Sequence, residues 1–264
     1  MKVDQFFAFR NRGDESKPFL SHLEDLRFTI VKIAIALVLA MVACFLFRNE
    51  LAAIVQRPLI AVDPHRAANL QSLGVADSFT ISLELSFYGG LVLSFPFLVF
   101  FLAEFVLPAL SRKEKAMLFP ASLLGAGLFL SGAAFCYCVV LPQTLEFFFK
   151  DAQSMNWQPT WTVREYYSFT TQFVISFGLA FELPLVVLLL VKLDIVDYNL
   201  LKRTRTFAVV IIFILAAVIT PTSDILTLLL MGGPMYFLYE ICIGIAWLMQ
   251  DRSQIKKSDS SDLS

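Results

Sequence analysis

The stretch FTIVKIAIALVLAMVACFLF, Phe28 to Phe47, decides the fold class. It holds one charge, Lys32, one turn inside its start and close enough to that end to snorkel. A helix rises about 1.5 Å per residue, so a run of this length crosses a hydrocarbon core of ~30 Å. A helix apolar on every face needs lipid or protein on every side.

Working outward, similar runs follow at about 82–105, 116–141, 167–191 and 225–249, with a shorter one at 207–219. The whole chain agrees with them. Of its 264 residues 58% are hydrophobic and 16% charged, against roughly half and about a quarter in a soluble domain. The expected fold is an all-α membrane protein of six transmembrane helices forming a single domain over 1–264. The fifth run has only about 13 strongly apolar residues, roughly 20 Å of helix, and the turn to the sixth is short. The pair therefore reads as a short helical hairpin, which must thin the bilayer or lean on longer neighbours.

Charge placement sets the orientation. Lys2, Arg10, Arg12, Lys17 and Arg27 precede the first run, and Arg112, Lys113 and Lys115 separate the second and third. Lys192, Lys202, Arg203 and Arg205 lie between the fourth and fifth, and Arg252, Lys256 and Lys257 follow the sixth. The opposite loops hold fewer: Arg48, Arg57, Arg66, Lys150 and Arg164. The positive-inside rule then places both termini in the cytoplasm. The two longer outer loops, 48–81 and 142–166, are expected to cap the outer face as short helices, with Trp157, Trp161, Tyr166 and Tyr167 at the interface. The first run, with no cleavage signal after it, is expected to stay as an anchor. Residues 250–264 read as a cytoplasmic tail, with its last dozen residues disordered.

Metal and disulfide chemistry find little support. Cys44, Cys136, Cys138 and Cys242 lie inside apolar runs, and the two histidines, His22 and His65, stand at no ligand spacing to them. No cofactor is expected. No G-x-S-x-G or H-E-x-x-H pattern, paired intramembrane aspartates or nucleotide-binding glycine loop occurs, so an enzyme is not expected.

Several short patterns, in order from residue 21 to residue 240, resemble one family, the TatC subunit of the twin-arginine protein translocase. They are Ser21-His22-Leu23-Glu24-Asp25-Leu26-Arg27, Arg57-Pro58-Leu59, and Glu104-Phe105-Val106-Leu107-Pro108-Ala109-Leu110 with Glu114 downstream. Phe177-Gly178-Leu179-Ala180-Phe181-Glu182-Leu183-Pro184 and Thr220-Pro221-Thr222-Ser223-Asp224, leading to Pro234-Met235-Tyr236 and Tyr239-Glu240, complete the set. Asp25 stands where the family usually has Glu, and one extra residue separates Pro221 from Asp224. The resemblance implies an N-in, C-in, concave kinked bundle in the bacterial inner membrane. It implies binding of twin-arginine signal peptides on the cytoplasmic side and export of folded cargo with single-span partners of the TatA/TatB type. Homo- and hetero-oligomers are expected; nucleic acid is not.

Two guanidinium groups want carboxylates, best with bidentate geometry. With the resemblance, Asp25 and Glu114 are expected to take the arginines. Phe105 and Leu107 would supply apolar contact, Glu24 would lie beside them, and Arg27 would order the mouth through salt bridges. The plainer reading makes Glu24 and Asp25 helix-start acids favoured by the dipole, Glu114 a solvated loop charge and Arg27 a positive-inside anchor.

Glu182 lies well inside the fourth run, where a carboxylate must face protein or a wet cavity. Pro184 frees the carbonyl of Ala180 and bends the helix. Together they predict a kinked, acid-bearing groove that contacts a partner helix or the inserted signal peptide. A proton relay, or an acid hydrogen-bonded within the bundle, is the alternative. Glu240 is expected to be satisfied by Tyr236, and Asp224 to cap the sixth helix, while the resemblance implies a functional role for Asp224 through either the cap or a contact. Pro58 is expected to fix a start or bend in the outer loop, Pro96 to kink its helix, and Gly125, Gly127 and Gly132 to serve close packing. A secondary transporter of a small solute is the competing function. It would carry repeated halves with paired broken helices, and no such repeat is visible.

Overall fold

The computed structural model describes residues 19–63, 70–106, 118–157, 159–192, 196, 198–220 and 224–261. Helices dominate: α1 Phe19–Leu46, α2 Arg48–Val62, α3 Asp77–Val106, α4 Leu118–Phe135 and α5 Leu141–Ser154. They continue with α6 Val163–Ala180, α7 Leu183–Lys192, α8 Tyr198–Arg203, α9 Arg205–Ile219 and α10 Ile225–Ser261. A π-helical turn, Cys136–Val140, joins α4 to α5 without a break. Among the described residues five helical segments are long and apolar enough to cross a membrane, and Arg205–Ile219 is a shorter apolar helix.

Antiparallel packing builds the bundle. We call the end where α1 begins the near face and the other the far face. Along α1 and α3, Lys32 meets Glu104 and, further on, Gly90 lies so close that a Cβ there would stand 2.8 Å from the Met41 backbone nitrogen. No neighbour can yield to that atom, because it belongs to the backbone of α1. The α4–α6 seam is a reciprocal exchange: Gly132 receives Phe181, and Gly178 receives the ring of Phe129. At the centre Phe95 of α3 stacks on Phe129 of α4 with centroids 3.7 Å apart, and Ile175 of α6 joins them. Gly127, by contrast, has nothing within 4 Å of an added Cβ among the described residues. It does not share the packing role expected of the set within this bundle: it lies five residues from Gly132, off the face that meets α6.

Several buried hydroxyls are satisfied within their own helices. Thr144, Thr171 and Ser86 each donate to the carbonyl four residues earlier, at 2.8, 2.8 and 2.6 Å, the usual solution where water is absent. The outward faces stay apolar, as with Phe28, Ile35, Leu39, Val42 and Leu46 of α1. The chain is an integral membrane protein.

The far face is capped. Pro58 sits inside α2 rather than at its start and, lacking an N–H, leaves the carbonyl of Ile54 open. The Tyr137 hydroxyl, presented by the π-turn, donates to that carbonyl at 2.6 Å. Tyr166 and Tyr167 donate to Val55 and Ala52 at 2.8 and 3.3 Å. A parallel bridge, Gln71 with Thr162, ties the two far-face loops together. Tyr137→Phe should cost about 1–2 kcal/mol in thermal unfolding. In a Pro58→Ala background a new N–H meets Ile54, and the same change should cost distinctly less; a double-mutant cycle reads the difference.

Two boundaries depart from expectation. The third run does not end near residue 141: α4, the π-turn and α5 are continuous to Ser154, and Pro142 falls directly after the π-turn, where the regular i→i−4 ladder is already interrupted. Residues 250–261 are helical rather than an unstructured tail. No glycine or proline follows Gly244, so nothing stops α10 from propagating.

Candidate functional site

The near-face mouth is framed by the start of α1 and the end of α3. Helix α1 begins at Phe19, so Glu24 and Asp25 lie beyond its first turn. The dipole effect fades over the first turn, and the helix-start reading of these acids loses its main support. Glu24 and Arg27 are exposed and Asp25 is half-buried. Across the seam Lys32 Nζ pairs with Glu104 Oε2 at 3.4 Å and lies 5.7 Å from the centroid of the Phe101 ring. Phe105, half-buried, follows Glu104. Leu107 and Glu114 lie outside the described residues, as does any Asp25–Glu114 pairing.

The fourth span breaks at the expected proline. Helix α6 ends at Ala180 and α7 starts at Leu183, with Phe181 and Glu182 forming the turn between them. Pro184 is buried. The Glu182 N–H reaches back only three residues, to Leu179 at 3.1 Å. Glu182 is half-buried, and its Oε1 is out of contact with solvent and has no hydrogen-bond partner among the described residues. Its Oε2 points at Gly125 of α4, where an added Cβ would stand 3.3 Å from it and also press on Val99 and Leu185. The gap at Gly125 is what admits the carboxylate. Nearer the far face, Ser168 of α6 donates to Glu84 of α3 at 2.7 Å, a second polar link inside the bundle.

The short hairpin, α9 and α10, is held at both ends. Ser176 of α6 donates to the carbonyl of Ile219 at 2.9 Å. The turn of the hairpin thus stands level with Ser176, thirteen residues or about 20 Å along α6 from Val163. The hairpin stops well short of the far face. Toward the near face Arg205 pairs with Glu240 at 3.1 Å, and Tyr236 donates to the same carboxylate at 2.9 Å. The Tyr236 partnership was legible as an i, i+4 pair; the arginine was not. Asp224 accepts from the Thr227 N–H at 2.7 Å and also bonds the Thr227 hydroxyl, capping α10.

Sequence reasoning missed the Lys32–Glu104 pair. Its signal was available: a lysine near the start of one span and an acid near the end of the next, antiparallel one.

The family model for the Sec-independent protein translocase protein (TatC) matches residues 21–234. The chain belongs to the TatC family. A TatC from Campylobacter jejuni is 32% identical over 238 residues, 90% of this chain and 97% of the relative. One from Akkermansia muciniphila is 46% identical over 182 residues, 69% of this chain but only 52% of its own length. A crystal structure of the twin-arginine translocase receptor TatC superposes with a TM-score of 0.76 at 31% identity, covering 86% of this chain and 98% of that one. The TatC fold is thus shared over nearly the whole of that structure. A TatC protein is a component of a protein translocase and not of a known catalytic family.

Proposed function

We propose that this TatC-family chain is the signal-peptide receptor of a twin-arginine translocase in a bacterial inner membrane, with both termini in the cytoplasm. The near face is then cytoplasmic, in line with its excess of lysine and arginine. One observation supports the reading: Lys32 of α1 pairs with Glu104 of α3, so Glu104 and Phe105 stand toward the same end of the bundle as Asp25, two turns before Lys32 on α1. Acids beside an aromatic ring suit guanidinium groups followed by an apolar segment. On this reading Glu114, eight residues after Val106 in the sequence, is the further acid and Leu107 the further apolar contact; both lie outside the described residues. Glu24 adds acidic character, and Arg27 keeps the mouth from accumulating unbalanced negative charge.

Glu182 and Pro184 then serve the step after docking. The open carboxylate beside Gly125 offers a polar contact inside the membrane for the inserted signal peptide or for a single-span partner of the TatA/TatB type. Pro58 and Asp224 act structurally, holding the far-face cap and the hairpin.

The test is photo-crosslinking of a twin-arginine peptide, with a twin-lysine peptide as control. Glu114→Lys should lower the crosslinked yield about tenfold or more, the loss expected when a charged hydrogen bond is removed. Unchanged crosslinking removes Glu114 from the site. Export of a folded twin-arginine reporter in a strain lacking its own TatC should accompany binding; uptake of a small solute by liposomes would instead favour a transporter.

A further inference from the structure

We propose that Glu104 is a second guanidinium acceptor in the mouth, occupied in the resting protein by Lys32, which stands in for one arginine of the docking peptide. The inference rests on the docking reading above and goes beyond it by naming the acceptor and its internal competitor.

The Lys32 ammonium sits in a built cation site. One side is the Glu104 carboxylate at 3.4 Å and the other the Phe101 ring, 5.7 Å to its centroid. An arginine fills such a site better than a lysine does, because its planar group both forks onto a carboxylate and stacks on a ring. The pair itself is loose. Charge-assisted bonds of this type run at about 2.7–2.9 Å, and here the side chains are 38% and 54% exposed. An exposed pair of this kind contributes little and exchanges readily.

Placement of the other acid fits a pair of arginines. Asp25 precedes Lys32 by seven residues, two turns, on the same face of α1 and about 10 Å nearer the mouth. The two acids therefore stand on different walls, Asp25 on α1 and Glu104 on α3, at two depths along one seam. Neighbouring residues of an extended peptide project to opposite sides. Two consecutive arginines can thus address both walls at once, with the deeper one displacing Lys32 from Glu104. A twin-lysine peptide gains less, since it replaces one ammonium by another.

The experiment measures the affinity of a fluorescent twin-arginine peptide for the full chain in detergent, with a twin-lysine control. Glu104→Gln should weaken binding about tenfold or more. Lys32→Met should tighten it by up to about fivefold, because the competitor is gone. The double variant should behave like Glu104→Gln, with no gain from the lysine change. A merely structural ion pair gives the opposite sign for Lys32→Met, since either change would then loosen the mouth. Binding by Lys32→Met no tighter than wild type, or by Glu104→Gln at wild-type strength, overturns the proposal. If Lys32→Met does not fold, Lys32→Arg decides: a better internal plug should weaken peptide binding, and unchanged or tighter binding overturns the proposal. A wild-type chain that does not prefer twin-arginine to twin-lysine overturns the docking reading itself, and the proposal with it.

Discussion

Glu182→Leu should make the folded chain more stable and the translocase inactive. The Oε1 atom is shut off from solvent without a donor among the described residues, a situation that costs about 1–3 kcal/mol. Leu185 and Val99 flank the gap at Gly125 where the carboxylate lies, so a leucine finds apolar neighbours at similar volume. Thermal unfolding in detergent should therefore shift upward, by about 1–2 kcal/mol in stability. On the role proposed for Glu182, export of a folded reporter should fall to background, because a polar contact for the incoming helix would be lost. A stability cost kept at such a position would be the ordinary trade between stability and activity. Glu182→Gln separates the ways this could work. Full export with the amide would exclude an obligatory proton transfer while leaving a polar contact in place. Full export by Glu182→Leu would remove the groove from the mechanism.

Gly132→Ala is expected to be severely damaging to the bundle. Its Cβ would stand 2.5 Å from Phe181 Cγ and 2.7 Å from the Phe177 carbonyl oxygen. The ring has little room, since Phe135 stands against it at 5.9 Å between centroids, and the carbonyl is backbone. Overpacking of this kind costs about 3 kcal/mol. It also pushes α4 off the turn that carries Glu182, so export should fail along with stability. Gly127→Ala is the control: with nothing within 4 Å, it should be neutral or gain up to ~1 kcal/mol from better helix propensity. The comparison is read by thermal unfolding of the two variants side by side. Equal effects would mean that the seam is loose and the Gly132–Phe181 contact carries no weight.

Much of the site was legible because membrane helices announce local events. Pro184 marked the break in the fourth span two residues after Glu182. Tyr236 and Glu240 met because residues four apart on a helix are neighbours. The Asp224 cap followed from its place before an apolar run. Other features were hidden for an equally local reason. Nothing in the sequence distinguishes Gly127 from Gly132, since which glycine faces α6 depends on the rotation of α4. Nor could Tyr137 be matched to Ile54 before the π-turn had aimed it.

Sequence alone determined the all-helical membrane fold, the order of its apolar helices and the break beside Pro184. In lipid each helix must satisfy its own backbone, so hydropathy and proline placement act segment by segment with no help from neighbours. The tertiary structure alone decided the pairings: Lys32 with Glu104, Arg205 with Glu240, Tyr137 with Ile54, and the carboxylate of Glu182 with the gap at Gly125. Those contacts join residues far apart in the chain. They depend on the depth and rotation of whole helices, which packing sets and composition does not.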